Sequence, residues 1–216
     1  AEKKRAAQRA RSVELKKLIG QPSQTLDGVQ VNVFANLGGT GDALRALEND
    51  AEGVGLFRTE FLYMDHGSLP NEDQQFEAYK QVVSAFGGKP VIFRTLDVGG
   101  DKDIPYLNLA KEENPFLGFR AIRHSLVYQD IFKAQIRALL RASAFGAAQI
   151  MLPMITGVEE VLAAKTIIHE CMESLKAAEI DFNEIIPVGI MIETPAAAVT
   201  ADQLAPIVDF FSVGTN

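Results

Sequence analysis

Short apolar runs in this chain end repeatedly on charged or polar clusters that are suited to binding a multiply charged anion. Four such clusters follow runs of mostly β-branched and aromatic residues: Arg58-Thr59-Glu60, Arg94-Thr95-Leu96-Asp97, Glu193-Thr194-Pro195 and Gly214-Thr215-Asn216. An arginine guanidinium is a planar fork of donors that matches phosphate or carboxylate oxygens in a way that lysine cannot. Two such arginines therefore predict an anion site. The alternative is that each arginine pairs with an acid nearby, Glu60 or Asp97.

Glu193 ends a fully apolar run, where burying an unpaired carboxylate would be costly. Its natural roles are ligand of a metal ion or partner of one of the two arginines. Oxygen ligands beside a phosphate favour Mg²⁺, which keeps several waters and usually takes one or two protein carboxylates. Because the sequence offers one candidate of this kind, we expect a second carboxylate after Asn216. The side-chain amide of Asn216 both donates and accepts, so it suits substrate oxygens.

Two further segments are weaker candidates for the same site. The glycine pair at 99–100 precedes Lys102, and such a loop can hold phosphate through its backbone N–H groups, although it also occurs in ordinary turns. Arg120 and Arg123 lie three residues apart at a predicted helix. They either face the anion site or point to solvent, and the local sequence does not distinguish these.

The other reactive residue types are placed away from the strand ends. We interpret the three histidines as surface or filler residues: His66, His124 and His169. Cys171 falls beside the apolar stripe of a long predicted helix, so we expect a buried structural thiol. The sequence thus presents no evident nucleophile or acid–base group.

The elements that must position these residues alternate between apolar strands and amphipathic helices, which indicates a parallel sheet covered by helices. The predicted strands are 29–35, 54–59, 91–96, 149–155, 188–192 and 209–213. The predicted helices between them are 42–49, 72–86, 116–123, 131–144 and 158–178, with another opened by Pro195. Ligands bind at the carboxyl ends of such strands, where the polar clusters fall.

This pattern predicts an α/β fold, a (β/α)₈ barrel of the TIM type that is incomplete in this chain. No Gly-x-Gly-x-x-Gly sequence follows the first strand, as a dinucleotide-binding fold would require. A closed barrel needs about eight strands and we expect about six, so the first and sixth strands should have unpaired edges. Residues 1–22 are predicted to be an interdomain linker helix, and residues 23–216 the partial barrel.

Composition narrows the functional class. The formal charge of −7 argues against a nucleic-acid-binding protein, whose footprint is a basic surface. The basic residues of the first helix are better explained as a solvated helix than as a nucleic-acid or membrane arm. No apolar run is long enough for a membrane span, and a single cysteine fits a reducing compartment. We therefore expect a cytoplasmic protein without membrane insertion.

Five segments of the chain closely resemble the phosphoenolpyruvate-binding barrel of enzyme I, the phosphoenolpyruvate–protein phosphotransferase of the bacterial sugar phosphotransferase system. In order they are residues 53–62, 94–102, 112–123, 192–198 and 210–216. The resemblance covers nearly the whole chain, including the basic opening helix, which is similar to the family's interdomain linker. Pyruvate, phosphate dikinases and phosphoenolpyruvate synthases share the barrel, but the residues of the first and third segments favour enzyme I.

The resemblance implies a Mg²⁺-dependent kinase-type transferase of sugar transport. Phosphate passes from phosphoenolpyruvate to a histidine on a separate N-terminal domain and then to the carrier protein HPr. The resemblance assigns Glu193 to the metal, and it assigns the substrate to Arg58, Arg94, Lys102, Arg120 and Asn216. It also implies a homodimer.

The phosphorylated histidine and the cysteine that protonates the enolate are expected outside residues 1–216. No catalytic acid–base residue is therefore expected in this chain, and the isolated fragment is expected to be inactive. Two alternatives stay open: the barrel of a dikinase or synthase, and a non-catalytic dimerisation fragment.

Overall fold

Six parallel strands form the sheet of this protein in a computed structural model. The structure describes residues 2–64, 67–99, 104–107, 113–114 and 117–214. The strands are β1 Ala35–Leu37, β2 Val54–Arg58, β3 Val91–Arg94, β4 Ala148–Leu152, β5 Val188–Ile192 and β6 Phe211–Val213. The helices are α1 Glu2–Lys16, α2 Asp42–Glu48, α3 Glu60–Met64, α4 Glu72–Ala85, α5 Ile122–Val127, α6 Gln129–Ser143, α7 Val158–Ala177, α8 Pro195–Val199 and α9 Ala201–Leu204.

The strands follow one another across the sheet in sequence order, and every neighbouring pair is parallel. Helices connect them, which is the topology of a (β/α)₈ barrel. The predicted incomplete barrel is thus confirmed. β1 and β6 are the two edges and do not pair with each other in the part of the chain that the structure describes. Val213 on β6 is accordingly 71% exposed.

The sheet has an outer and an inner apolar face. On the outer face, strand residues such as Phe57, Phe93 and Ile150 share one large buried cluster with residues of the helices. The inner face carries a smaller cluster, made of Ile92, Met151 and Met191 with Leu56 and Phe210 packed against it. Successive side chains of a strand point to opposite faces, so a residue two positions after an inner residue is also an inner residue. This alternation decides where the strand-end polar residues point.

The prediction for the first strand was wrong. The alternating segment 29–35 was expected to be the strand, but β1 begins only at Ala35. The valines of this segment are about half exposed: Val29, Val31 and Val33. Backbone pairing begins on either side of Phe34, whose ring covers Gly53: the Glu52 N–H donates to the Val33 carbonyl at 3.0 Å, and the Ala35 N–H donates to the Gly53 carbonyl at 2.9 Å. The alternation therefore reflects a surface segment, with an isolated antiparallel bridge between Gln24 and Gln30.

Most other elements lie close to their predicted bounds, and β5 has the predicted ones. α4 and α7 each end one residue earlier than expected. α3, which directly follows β2, was not predicted. The helix expected at 116–123 begins instead at Ile122, because Ala121 has a φ of 52° and such a backbone cannot belong to an α-helix.

Helix α1 stands outside the apolar core. Every side chain from Lys4 to Lys16 is exposed, including Val13 and Leu15. Its assignment as an interdomain linker, and the boundary at residue 22, stay predictions. Among the described helices, none has both the length and the apolar character needed to cross a membrane.

Candidate functional site

Arg58 and Arg94 are the last residues of neighbouring strands, and they are paired directly in register. Each follows an inner-face residue, Leu56 or Ile92, by two positions, so both lie on the inner face at the carboxyl end of the sheet. Arg58 is exposed and has no side-chain hydrogen bond or ion pair with any residue whose position the structure describes. Arg94, in contrast, is only 7% exposed.

Two buried carboxylates hold Arg94. Its Nη2 donates to Glu60 Oε1 at 2.5 Å and lies 3.2 Å from Asp97 Oδ2. The sequence left open whether each arginine pairs with a nearby acid. Arg94 does so, whereas Arg58 does not among the described residues. The Nε of Arg94 is also buried and has no hydrogen-bond partner among the described atoms. An unpaired buried donor is unfavourable by about 1–3 kcal/mol, so this N–H is available to a further acceptor such as a ligand oxygen.

Asp97 connects Arg94 to the third predicted arginine. Arg120 donates to Asp97 Oδ1 from its Nε at 3.0 Å and from its Nη2 at 2.7 Å. Gly99 allows this approach, because its φ is +117° and a Cβ there would lie 2.7 Å from the Cβ of Arg120. Strand register and one shared carboxylate thus bring Arg58, Arg94 and Arg120 to the same end of the sheet.

Of the remaining predicted site residues, the structure describes Arg123 but not Lys102 or Asn216. Arg123 donates its Nη1–H groups to the carbonyls of Leu117 and Gly118, so it stabilises the loop that precedes α5. Lys102 and Asn216 lie outside the described residues. Their substrate-binding roles stay predictions.

Glu193 follows the inner residue Met191 by two positions and so lies on the inner face, at the end of β5. Its Oε1 accepts the Met154 N–H at 2.8 Å, and its Oε2 has no partner in the described part of the chain. No group of three or more histidine, cysteine, aspartate or glutamate residues gathers among the residues that were described. The second carboxylate oxygen of Glu193 is suited to a cation such as Mg²⁺, which usually takes one or two protein carboxylates.

The residues after Glu193 fix its position. Thr194 caps helix α8: its Oγ1 accepts the Ala197 N–H at 3.1 Å and donates to the Ile155 carbonyl at 2.6 Å. Pro195 occupies the first turn, where its missing N–H is not needed. Glu193 therefore stands between a buried strand and the N-terminus of a capped helix, as the sequence predicted.

A buried polar network behind the arginines was not predicted from the sequence. Gln135 on α6 is 1% exposed, and its Oε1 accepts the Leu96 N–H at 2.9 Å. Its Nε2 donates to Thr59 Oγ1 at 3.1 Å and to the Tyr79 hydroxyl at 3.3 Å. Thr59 Oγ1 in turn donates to the Arg94 carbonyl at 2.8 Å. The signal for this network is a glutamine among the mostly apolar buried residues of α6.

The described histidines and the cysteine have the surface or structural roles that the sequence predicted. His124 is 2% exposed and packs between the rings of Phe119 and Tyr128, and burial lowers its pKa. His169 is exposed, and His66 lies outside the described residues. Burial raises the pKa of the Cys171 thiol to about 11, so at neutral pH it is an unreactive structural thiol, as expected.

Known proteins match this chain over nearly its whole length. One protein family, the phosphoenolpyruvate-binding domain of phosphoenolpyruvate-utilising enzymes, matches residues 12–216. Phosphoenolpyruvate-protein phosphotransferases of Bacillus sp. (strain S) and Geobacillus stearothermophilus are each 54% identical over 215 residues, which is 100% of this chain and 37% of the relative. That of Staphylococcus aureus is 53% identical over 203 residues, 94% of this chain and 36% of the relative. The chain thus spans just over a third of the length of these curated relatives.

Proposed function

This chain belongs to the phosphoenolpyruvate-binding domain family of phosphoenolpyruvate-utilising enzymes, and we propose that it is the substrate-binding segment of a phosphoenolpyruvate–protein phosphotransferase. The observation that carries the proposal is the pairing of Arg58 with Arg94 on the inner face, joined to Arg120 through Asp97. Three guanidinium groups at one end of a sheet suit a ligand that carries both a phosphate and a carboxylate.

The three arginines differ in how they would meet the substrate. Arg58 is exposed and unpaired among the described residues, so it is the group that an entering anion contacts without displacing a protein partner. Arg94 keeps its unpaired Nε for a substrate oxygen while its Nη2 stays with the acids. Arg120 is oriented by Asp97. Phosphoryl transfer depends mostly on positioning and charge neutralisation, which this arrangement supplies.

We propose Glu193 as a Mg²⁺ ligand. Its unpaired Oε2 on the inner face supports this role. When bound, Mg²⁺ neutralises negative charge on the transferred phosphoryl group. Lys102 and Asn216 are proposed to contact the substrate as well, on the strength of the family resemblance.

The name of these relatives, phosphoenolpyruvate-protein phosphotransferase, describes transfer from phosphoenolpyruvate to a protein, and we propose the same reaction for the complete protein. The acceptor would be a histidine on an N-terminal domain, followed by HPr in sugar uptake. We propose a cytoplasmic homodimer, in which this segment binds substrate and the groups that carry or protonate the reacting atoms lie elsewhere.

Calorimetric titration of the complete protein with phosphoenolpyruvate, with and without Mg²⁺, tests the proposal. We expect saturable binding that Mg²⁺ strengthens, and weaker binding of pyruvate and of inorganic phosphate, since each lacks one of the two anionic groups. No binding, or equal binding of pyruvate, would contradict it.

Radiolabelled phosphoenolpyruvate then separates the phosphotransferase from the dikinase or synthase alternative. We expect the label on HPr without any added nucleotide. Label that appears only on a nucleotide would favour the alternative.

A further inference from the structure

We propose that Gln135 is a positioning residue for substrate binding: its side-chain amide holds the segment that leaves β3, residues 94–97, and through it the arginines of the site. This inference rests on the proposed function. The hydrogen bonds of Gln135 go to Leu96, Thr59 and Tyr79 rather than to an arginine side chain. It therefore acts through other groups and does not itself touch substrate.

The network fixes the backbone on both sides of Thr95. On one side Gln135 accepts the Leu96 N–H directly. On the other side it donates to Thr59, whose hydroxyl donates to the Arg94 carbonyl. The last hydrogen bond between this segment and β4 is donated by the Thr95 N–H, so strand pairing does not hold Leu96. Gln135 supplies the anchor at the point where the sheet stops doing so.

This anchor lies next to the acid that orients two arginines. Asp97 directly follows Leu96, and its two oxygens contact Arg94 and Arg120. A shift of the backbone at Leu96 would move the Asp97 carboxylate and both guanidinium groups with it. Since binding depends on placing donors within a fraction of an ångström, a buried support of this kind affects affinity without contacting the ligand.

Gln75 provides a matched control within the same network. It is as buried as Gln135, at 1% exposed, and its Oε1 accepts from the Tyr63 and Tyr79 hydroxyls. Its Nε2 donates to the Pro70 carbonyl. Gln75 thus shares Tyr79 with Gln135 but has no hydrogen bond to residues 94–97 among the described contacts.

The test compares Gln135→Met with Gln75→Met in the complete protein. Methionine keeps the length of the side chain and removes its hydrogen bonds, so both variants should unfold at a lower temperature than the wild type. We expect the Kd for phosphoenolpyruvate to rise about tenfold in Gln135→Met and to stay unchanged in Gln75→Met. A tenfold change corresponds to the free energy of about one hydrogen bond. Equal affinities in the two variants would overturn the inference.

A second substitution covers the case in which Gln135→Met does not fold. Thr59→Val removes only the hydroxyl between Gln135 and the Arg94 carbonyl. It should also weaken phosphoenolpyruvate binding relative to the wild type, because the connection from Gln135 to the Arg94 carbonyl is broken. A Thr59→Val protein with wild-type affinity would contradict the inference.

A measurement without ligand keeps this inference separate from the proposed function. The Nε–H resonance of Arg94 in the nuclear magnetic resonance spectrum should shift in Gln135→Met and stay in place in Gln75→Met. Failure of the wild type to bind phosphoenolpyruvate would refute the proposed function alone. An unmoved Arg94 resonance in Gln135→Met would refute the positioning role alone.

Discussion

Arg58 and Arg94 lie side by side in register at the ends of β2 and β3, yet the structure pairs only Arg94 with acids. Glu60 and Asp97 contact Arg94, whereas Arg58 is exposed and has no partner in the described regions. We therefore expect Arg94 to contribute to both stability and binding, and Arg58 to contribute to binding alone. Substitutions at the two positions separate these contributions.

Arg58→Lys should weaken phosphoenolpyruvate binding and leave stability unchanged. The bidentate fork is lost, but no protein contact of the described residues is broken, so we expect a Kd raised about tenfold. The midpoint of thermal unfolding should change by less than about 2 °C, as for an ordinary surface substitution. Arg45→Lys, at an exposed position on α2, is the control and should alter neither quantity.

Arg94→Lys should lower both affinity and stability. A lysine has one ammonium group and cannot reproduce the contacts of the guanidinium with both Glu60 and Asp97, which are nearly fully buried. Leaving a buried carboxylate poorly paired should lower the free energy of unfolding by about 1–3 kcal/mol. Urea unfolding measures this change. If Arg94→Lys is as stable as Arg58→Lys, the buried pairs do not stabilise the fold.

Glu193→Gln should raise the Mg²⁺ concentration that supports half-maximal phosphoenolpyruvate binding by about tenfold, because the charged oxygen ligand is lost. Glutamine keeps an oxygen that can accept the Met154 N–H, so the fold should be retained. Glu170→Gln, on the outer helix α7, is the matched control and should not affect the Mg²⁺ requirement. An unchanged requirement in Glu193→Gln would remove the metal assignment.

His124 should make the protein less stable as the pH falls. Burial lowers the pKa of His124 below its ordinary value of 6.5, because the charged ring would lose hydration. As the pH falls through that value, the unfolded chain takes up a proton that the folded chain does not. The free energy of unfolding therefore decreases on acidification until the lower pKa of the folded state is reached.

The contribution of His124 can be isolated by substitution. His124→Phe keeps a ring between Phe119 and Tyr128 and should flatten the decrease, as measured by urea unfolding at pH values of about 7.5 and 5.5. His169→Phe, at an exposed position, should retain it. The interpretation fails if both variants lose stability equally on acidification.

The fold could be predicted from the sequence where local pattern and tertiary burial agree. The run at 188–192 is apolar throughout and bounded by turn-forming residues, and it forms β5 with the predicted bounds. In contrast, the alternation at 29–35 resembles a half-buried strand, yet its valines are about half exposed. Phe34, just before β1, packs over Gly53, and local sequence does not reveal such a contact between separate segments.

In the candidate site, too, local pattern predicted some features, and contacts between distant residues determined the others. The strand-end placement of Arg58, Arg94 and Glu193 follows from where apolar runs stop, so the sequence was sufficient. The bond between Gln135 and Thr59 joins residues 76 positions apart, and no periodicity anticipates such a pair. Likewise, the sharing of Asp97 between two arginines depends on the close approach of Arg120, just before α5, to Gly99.

The edges of the sheet, finally, have a consequence for association between molecules. An unpaired strand edge is a template onto which another strand can add, and long flat edges lead to fibrils. β1 and β6 are only three residues long each. Within the described residues each edge therefore offers few unpaired backbone groups, which limits how strongly a strand of another molecule could add there.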